Sequence, residues 1–413
     1  MIVKYFNFKT LFTKILNRNK IINRRSFKYF ICIVILGIIY NNVVKVFTDL
    51  YKYHLEKQFN SSIKYILVWT PLSEEPICYL GEGRKAFIER GCPHTNCYVT
   101  ENRKLLQNIT EFHAIVFHLK DMRPVTFVRH SFKKWPFPRL RKSHQKYIFT
   151  SKESDKYYPL CYKKFQNFFN WTWTYKLNSD LSFNYIFVWD KDGNIIGPKQ
   201  EMHWMKAEDM LPINDTLKEI LNTKTIAAAW FVSNCRAPNR RSKIARKLQI
   251  ELQKYDMRLD VFGACGKMKC PRSDMDVCLR KLRNDYYFYL AFENSFSVDY
   301  VSEKLLWALN NYVVPVVYGG ANYTRFMPDG IYLSAMNVSV KELAKKMVNI
   351  IRDKSAYYEF FKWHNHYSFH SEWDSVETDH YCRFCTALSN EEKFKETSIY
   401  KDIGKWWSPH VCR

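Results

Sequence analysis

The sequence predicts an α/β fold with mainly parallel sheets, divided into two domains behind an N-terminal hydrophobic segment. Three observations carry this. Short apolar runs rich in β-branched and aromatic residues recur between helical stretches. The 413 residues exceed the roughly 250–300 at which a single core stops growing. An uncharged stretch follows directly on a purely basic N-terminus.

Residues 1–28 carry Lys4, Lys9, Lys14, Arg18, Lys20, Arg24, Arg25 and Lys28 and no acidic residue, so they supply a third of the net charge of +24. They read as a cytoplasmic tail. Residues 29–44 contain no charge and read as a transmembrane signal anchor. This run is shorter than the roughly 20 residues of an average span, a length that suits a thinner early-secretory bilayer. The competing readings are a cleaved signal peptide, against which stand the long basic region and the missing Ala-x-Ala site, and a buried core helix. Positive charge on the N-terminal side orients the remainder toward the lumen.

Residues 45–62, polar and without an apolar period, read as a stem. Sequons at Asn60, Asn108, Asn170, Asn214, Asn322 and Asn337 all fall on the lumenal side, as do eleven of twelve cysteines. In an oxidising lumen those cysteines read first as disulfides, and their odd number leaves at least one thiol over. Cys382-x-x-Cys385 also has the spacing of half a zinc site, although no second ligand pair stands nearby.

From residue 63 onward the expected strands are Tyr65–Trp69, Ala114–Phe117, Lys146–Phe149, Ile226–Val232, Leu259–Phe262, Tyr286–Phe292 and Val313–Val317. Between two of them, Ile244, Leu248 and Leu252 recur every four residues, an amphipathic helix over 239–255. The polar stretch 190–215 is the expected boundary. Residues 63–205 form the first domain, 206–365 the second, and 366–413 a tail returning to the first. With 47% hydrophobic and 25% charged residues the chain is neither a disordered basic tail nor fibrous.

The most informative segment runs from Ala291 to Gly320. A buried strand ends at Phe292, and Glu293, Asn294 and Ser295 follow at its carboxyl end, where α/β folds place ligand groups. A helix is expected over 299–311 with Asp299 as its cap and Tyr300, Glu303 and Lys304 in its first turns. Lys304 suits a pyrophosphate and Glu303 a ribose. A solvated Glu-Lys pair on a surface helix is the plainer alternative.

This segment resembles the signature of the α1,3-fucosyltransferases, glycosyltransferase family 10: Phe292-Glu-Asn-Ser295, then Asp299-Tyr-Val-Ser-Glu-Lys304, then Val314-Pro-Val-Val317 and Gly319. The resemblance extends through Ala229–Arg240, Phe262–Arg272, Asn170–Tyr175 and Cys382–Cys385. Phe262–Arg272 and Ser233-Asn-Cys235 are most similar to the invertebrate and plant subgroup acting on the N-glycan core. The resemblance implies a GT-B-like fold, two Rossmann-like domains facing a cleft, the second binding GDP-β-L-fucose and the first the acceptor. It implies inverting α1,3 transfer of L-fucose to a GlcNAc of glycoprotein glycans, foremost the N-glycan core, with outer LacNAc or LacdiNAc antennae as the alternative.

Carried over residue by residue, Glu153 in Phe149-Thr-Ser-Lys-Glu-Ser154 is the catalytic base, a role its sequence context alone, that of an exposed loop carboxylate, does not suggest. Arg240 and Lys304 contact the pyrophosphate, Glu303 the ribose, and Asn294 and Tyr300 the fucosyl-diphosphate. Cys382 and Cys385 tie the tail to Cys92 and Cys97, with Cys265, Cys270 and Cys278 paired locally. No cofactor is required, no metal site is assigned, and a divalent cation such as Mn²⁺ acts at most as a stimulant. The expected location is the Golgi membrane, as a single-pass type II protein. The chain departs from the family pattern at Lys176, where Arg is common, at Asn178, where Asp is common, and at Asp155 and Ser297.

Three other readings compete. Asp190-Lys-Asp192 and Asp274-Met-Asp276 have the D-x-D form that binds Mn²⁺ in metal-dependent glycosyltransferases. Nucleic-acid binding, suggested by charge and aromatic content, finds no motif and fails on lumenal topology. A catalytically inactive lumenal glycan-binding protein shares the fold.

Overall fold

The computed structural model describes residues 34–48, 63–70, 77–122 and 137–412. The expected cytoplasmic tail, most of the stem and Asn60 lie outside them, as do residues 29–33 of the expected anchor. The chain separates into two units, Met1–Ile63 and Lys64–Arg413. In the first, a helix covers 34–48 with Leu36, Ile38 and Ile39 exposed. Among the described residues no helix is long and apolar enough to cross a membrane.

The second unit is built on two parallel sheets. The first holds β1 (Lys64–Val68), β2 (Cys97–Thr100), β3 (Ala114–His118), β4 (Lys146–Ser151), β5 (Trp171–Thr174) and β6 (Leu181–Ser182), in the order β2-β1-β3-β4-β5-β6. Every pairing is parallel. A small antiparallel sheet of β7 (Phe187–Asp190), β8 (Ile195–Gly197) and β14 (Tyr367–His370) follows. The second large sheet holds β9 (Ile226–Phe231), β10 (Leu259–Phe262), β11 (Tyr286–Phe292), β12 (Val314–Tyr318) and β13 (Leu333–Ser334), in the order β10-β9-β11-β12-β13. The central strands β4, β9 and β11 are buried on both faces because helices and loops cover both, as a parallel sheet demands.

In both orders the chain starts inside the sheet, moves to one edge and then reverses. The reversal points lie between β1 and β3 and between β9 and β11. In open α/β sheets such switch points leave a crevice beyond the strand carboxyl ends, so the loops after β9 and β11 are where ligand groups are expected.

The amphipathic helix of the second unit is α1 (Arg241–Gln253), which buries Ala245, Leu248 and Leu252 against the second sheet with α4 (Val340–Arg352). The latter opens on a capping box, Ser339 and Glu342 each accepting from the other's backbone N–H. Two other helices, α2 (Met275–Asp285) and α3 (Glu303–Leu309), cover the opposite face.

The C-terminal segment returns to the first sheet on both faces. Helix α5 (His380–Ser389) packs Tyr381, Phe384 and Leu388 on one face, and Ile403 and Trp407 join the core on the other. Disulfides fix it: Cys92–Cys382, Cys97–Cys385 and Cys161–Cys412. The first two match the pairing implied by the family resemblance, and they exclude the zinc reading of Cys382 and Cys385. Cys270 pairs with Cys278 as a local bridge, but Cys265 pairs with Cys235 across the loop after β9, outside the expected trio.

Candidate active site

Strand β4 ends at Ser151, and the next two residues point Lys152 and Glu153 beyond its carboxyl end. From the other sheet, β11 ends at Phe292 and sends out the loop 293–302. The two loops meet. Glu153 Oε1 accepts from the Tyr300 hydroxyl at 2.9 Å, from the Ser154 backbone N–H at 2.8 Å and from Asn294 Nδ2 at 3.2 Å; Oε2 accepts from Asn294 Nδ2 at 3.4 Å. The hydroxyls of Ser154 and Ser295 lie 2.6 Å apart, and Asn234 Nδ2 donates to the Tyr157 hydroxyl at 2.8 Å. Thus three of the expected site residues, Glu153, Asn294 and Tyr300, share one cluster. One carboxylate oxygen there is saturated with donors while the other has a single long contact.

Burial, and after it the neighbouring Tyr185 hydroxyl and the Glu153 and Glu293 carboxylates, hold the Tyr300 phenol well above its ordinary value. It therefore remains a proton donor to Glu153 at any working pH. Tyr175 packs edge-on against it at 4.8 Å, and burial raises that phenol likewise.

Glu303 and Lys304 stand at the start of α3, around Glu293, the first polar residue beyond the carboxyl end of β11. Glu293 is 1% exposed, and its carboxylate accepts from the Ser302 backbone N–H at 2.8 Å, from Ser302 Oγ at 2.9 Å and from Lys304 Nζ at 3.3 Å. Lys304 also donates to Ser302 Oγ at 2.6 Å and to Glu303 at 3.2 Å. Burial alone would lower the Lys304 ammonium, but the Glu293 and Glu303 carboxylates raise it above the usual lysine value, so it stays charged.

Beneath this, Asn239 Nδ2 donates to Glu293 O at 2.8 Å, and the buried Arg241 guanidinium donates to Phe292 O at 2.6 Å. The neighbouring Arg240 is the residue the structure leaves outside. It is exposed at the head of α1 in the left-handed region, with φ +56°, and is not among the partners of Glu153 or Lys304.

The expected cap fails. Asp299 does not begin a helix; it sits at φ +59°, and α3 starts only at Glu303. Its carboxylate bridges instead, accepting from the Leu177 backbone N–H at 3.3 Å and from Arg325 at 2.9 Å. These tertiary partners hold a β-carboxylate residue in a conformation that costs about 1 kcal/mol or more. Gly320 is the close approach that seats the loop: a Cβ there would lie 2.7 Å from Ser297 N.

Lys176, the departure from Arg, is buried and donates to Trp406 O at 2.8 Å and Trp407 O at 2.6 Å. It tethers the C-terminal segment and does not enter the cluster. Burial lowers its ammonium to about 8. Asp190 closes the β7–β8 hairpin by accepting from the backbone of Asp192 and Asn194, and Asp274 precedes α2. Among the described residues no three His, Cys, Asp or Glu side chains gather as a metal site.

The sequon at Asn170 is corrected by burial. At 9% exposure its carbonyl accepts from Tyr147 N and Arg141, and its amide nitrogen donates to Ser398 O at 2.8 Å, leaving no room for a glycan. Asn108, Asn214, Asn322 and Asn337 are exposed.

Comparison with known proteins gives two family models, one described as fucosyltransferase, N-terminal, matching residues 61–186, and one as glycosyltransferase family 10 (fucosyltransferase) C-term, matching 221–406. The chain is 34% identical over 328 residues to alpha-(1,3)-fucosyltransferase C of Drosophila melanogaster, covering 79% of this chain and 72% of that one. It is 32% identical over 375 residues to glycoprotein 3-alpha-L-fucosyltransferase A of the same organism, covering 88% and 64%. A crystal structure of an alpha1,3-fucosyltransferase with GDP-fucose aligns over 82% of this chain and 93% of its own, at 14% identity and a TM-score of 0.46.

Proposed function

The chain belongs to glycosyltransferase family 10, the fucosyltransferases, and from that premise we propose that it moves L-fucose from GDP-β-L-fucose in α1,3 linkage onto a GlcNAc residue of glycoprotein glycans, with the N-glycan core as the foremost acceptor. The observation that carries the reading is the Glu153 carboxylate, held beyond the end of β4 by Asn294 and Tyr300 of the loop after β11.

In this reading Glu153 accepts the proton of the acceptor 3-hydroxyl. That oxygen attacks fucose C1 on the face opposite the diphosphate, the C1–O bond breaks, and GDP leaves with the electron pair, so β becomes α. A diphosphate leaves without a general acid. What it needs is positive charge where its own negative charge grows. Lys304 is suited to this because Glu293 and Glu303 keep it protonated and fixed. Arg240, exposed on the loop end beside the switch point, would have to swing in. Asn294 and Tyr300 face the transferred sugar, and Glu303 the ribose. No cofactor or metal is needed in this scheme, a divalent cation acting at most as a stimulant.

Residues 63–205 would supply the acceptor half of a GT-B-like pair, 206–365 the donor half, and 366–413 the strap onto the first. The protein would act in the Golgi lumen as a type II membrane protein. The similarity to the fly glycoprotein 3-alpha-L-fucosyltransferase A supports a glycoprotein acceptor.

Labelled fucose offered as GDP-fucose with N-glycan cores, LacNAc and LacdiNAc tests this. Transfer to the core supports the reading, transfer to LacNAc alone moves the acceptor to the antennae, and transfer to none leaves a glycan-binding protein.

A further inference from the structure

We propose that Trp373 and Tyr79 form a platform that stacks against a pyranose ring of an extended acceptor glycan, a few sugars beyond the one that receives fucose. The proposal rests on the transfer reading above. Among the described residues Trp373 is the only exposed tryptophan, at 48%, while the others lie in cores or are half-buried. Tyr79, at 47%, meets it edge-on with ring centres 5.6 Å apart. Two large aromatic rings, each about half exposed, forgo part of the stabilisation of burial, and such exposed apolar patches on folded proteins mark contact sites.

The platform is rigid. The Arg90 guanidinium lies against both the Trp373 ring, at 5.1 Å, and the buried Tyr381 ring, at 4.5 Å, and is fixed by an ion pair to Asp379 at 2.9 Å. The Trp373 backbone sits in a tight turn in which Ser371 N donates to Asp374 at 2.9 Å and Trp373 N donates to Ser371 Oγ at 3.2 Å. A preorganised aromatic pair loses little conformational freedom on binding.

The platform is also joined to the candidate active site. Glu372, the residue before Trp373, is buried and paired at 3.0 Å with Lys152, the residue before Glu153. With adjacent Cα atoms 3.8 Å apart, this short path keeps Trp373 within about 20 Å of Glu153, a span that an oligosaccharide bridges. The chemistry selects a sugar: an aromatic face takes the C–H face of a pyranose, and the half-buried Arg90 and the exposed Asp374 at the rim offer a donor and an acceptor to its hydroxyls.

The test uses the full chain and its Trp373→Ala, Trp373→Tyr and Tyr79→Ala variants, with one short acceptor (LacNAc disaccharide) and one extended acceptor (an N-glycan core oligosaccharide). Binding of each glycan is read by titration, and transfer by initial rates. Both alanine variants are expected to bind the extended glycan about tenfold more weakly and to raise its KM to match, with the short acceptor and the GDP-fucose KM unchanged within twofold and the tyrosine variant close to wild type. Equal losses on short and long glycans, or none, would overturn the platform. If the wild-type chain transferred no fucose, the transfer reading would fail, while the titration would still decide whether Trp373 binds the long glycan.

Discussion

The Tyr300 hydroxyl donates to Glu153 Oε1 at 2.9 Å, so a phenol carried by the loop after β11 orients a carboxylate carried by the loop after β4. Neither sheet completes this pair alone. Removing the donor leaves a carboxylate less well satisfied and freer to rotate.

Tyr300→Phe is therefore expected to lower kcat by about tenfold to a hundredfold, the scale of a hydrogen bond to a charged group. The GDP-fucose KM should change little. A large rise in that KM with an unchanged kcat would assign Tyr300 to the donor instead.

Glu153→Gln keeps the shape, and its amide can still accept from Tyr300 and Ser154, but it cannot take a proton. Transfer should fall by at least about 10²–10⁴-fold, with GDP affinity, read by titration, within threefold of wild type. Turnover near that of wild type would remove Glu153 as base.

Lys304→Met and Glu293→Ala separate binding from scaffolding. The first should weaken GDP more than about tenfold. The second takes away the buried partner of Lys304 and the acceptor of Ser302, and should lower stability by about 3 kcal/mol in denaturant unfolding. A stable Glu293→Ala chain with normal GDP affinity would contradict the role of Glu293 in holding Ser302 and Lys304 in place.

His113 gives a pH dependence. Burial first, then Lys64 and His144, lower its imidazole to about 4, and its Nδ1 accepts from the Tyr65 backbone N–H at 3.1 Å. Between about 4 and 6.5 the unfolded chain binds the proton and the folded chain does not. Stability is thus fully present above 6.5 and is lost as pH falls toward 4. In unfolding measurements at pH 7 and pH 5, the wild type should lose about 1 kcal/mol more than His113→Gln, a figure already reduced for solvent screening.

Much of the architecture could be read from local pattern. β10 and β11 span the expected residues, and β1, β3, β4, β9 and β12 fall within one or two residues of expectation, because buried parallel strands are short continuous apolar runs. The clustering of Asn294, Tyr300 and Glu153 followed from the family resemblance, and no local pattern singles Glu153 out. What escaped depends on distant partners. Asp299 looks like a helix cap until Leu177 and Arg325 claim its carboxylate. Asn170 looks like a glycan acceptor until Tyr147 and Ser398 claim both ends of its amide. Lys176 looks like a weakened site residue until the carbonyls of Trp406 and Trp407 appear beside it. In each case the side chain's chemistry was legible and its partner, more than a hundred residues away for all but Tyr147 and Arg325, was not.

The strap formed by α5 and the segment around Trp407 sets an order of manufacture. The first sheet lies early in the chain, yet Cys92, Cys97 and Cys161 find their partners only at Cys382, Cys385 and Cys412. Until those are synthesised, three early thiols are exposed to wrong partners, while the short Cys235–Cys265 and Cys270–Cys278 bridges can close as soon as they emerge. Yield in a cell should therefore follow the capacity of its disulfide-exchange catalysts more closely than the rate of translation.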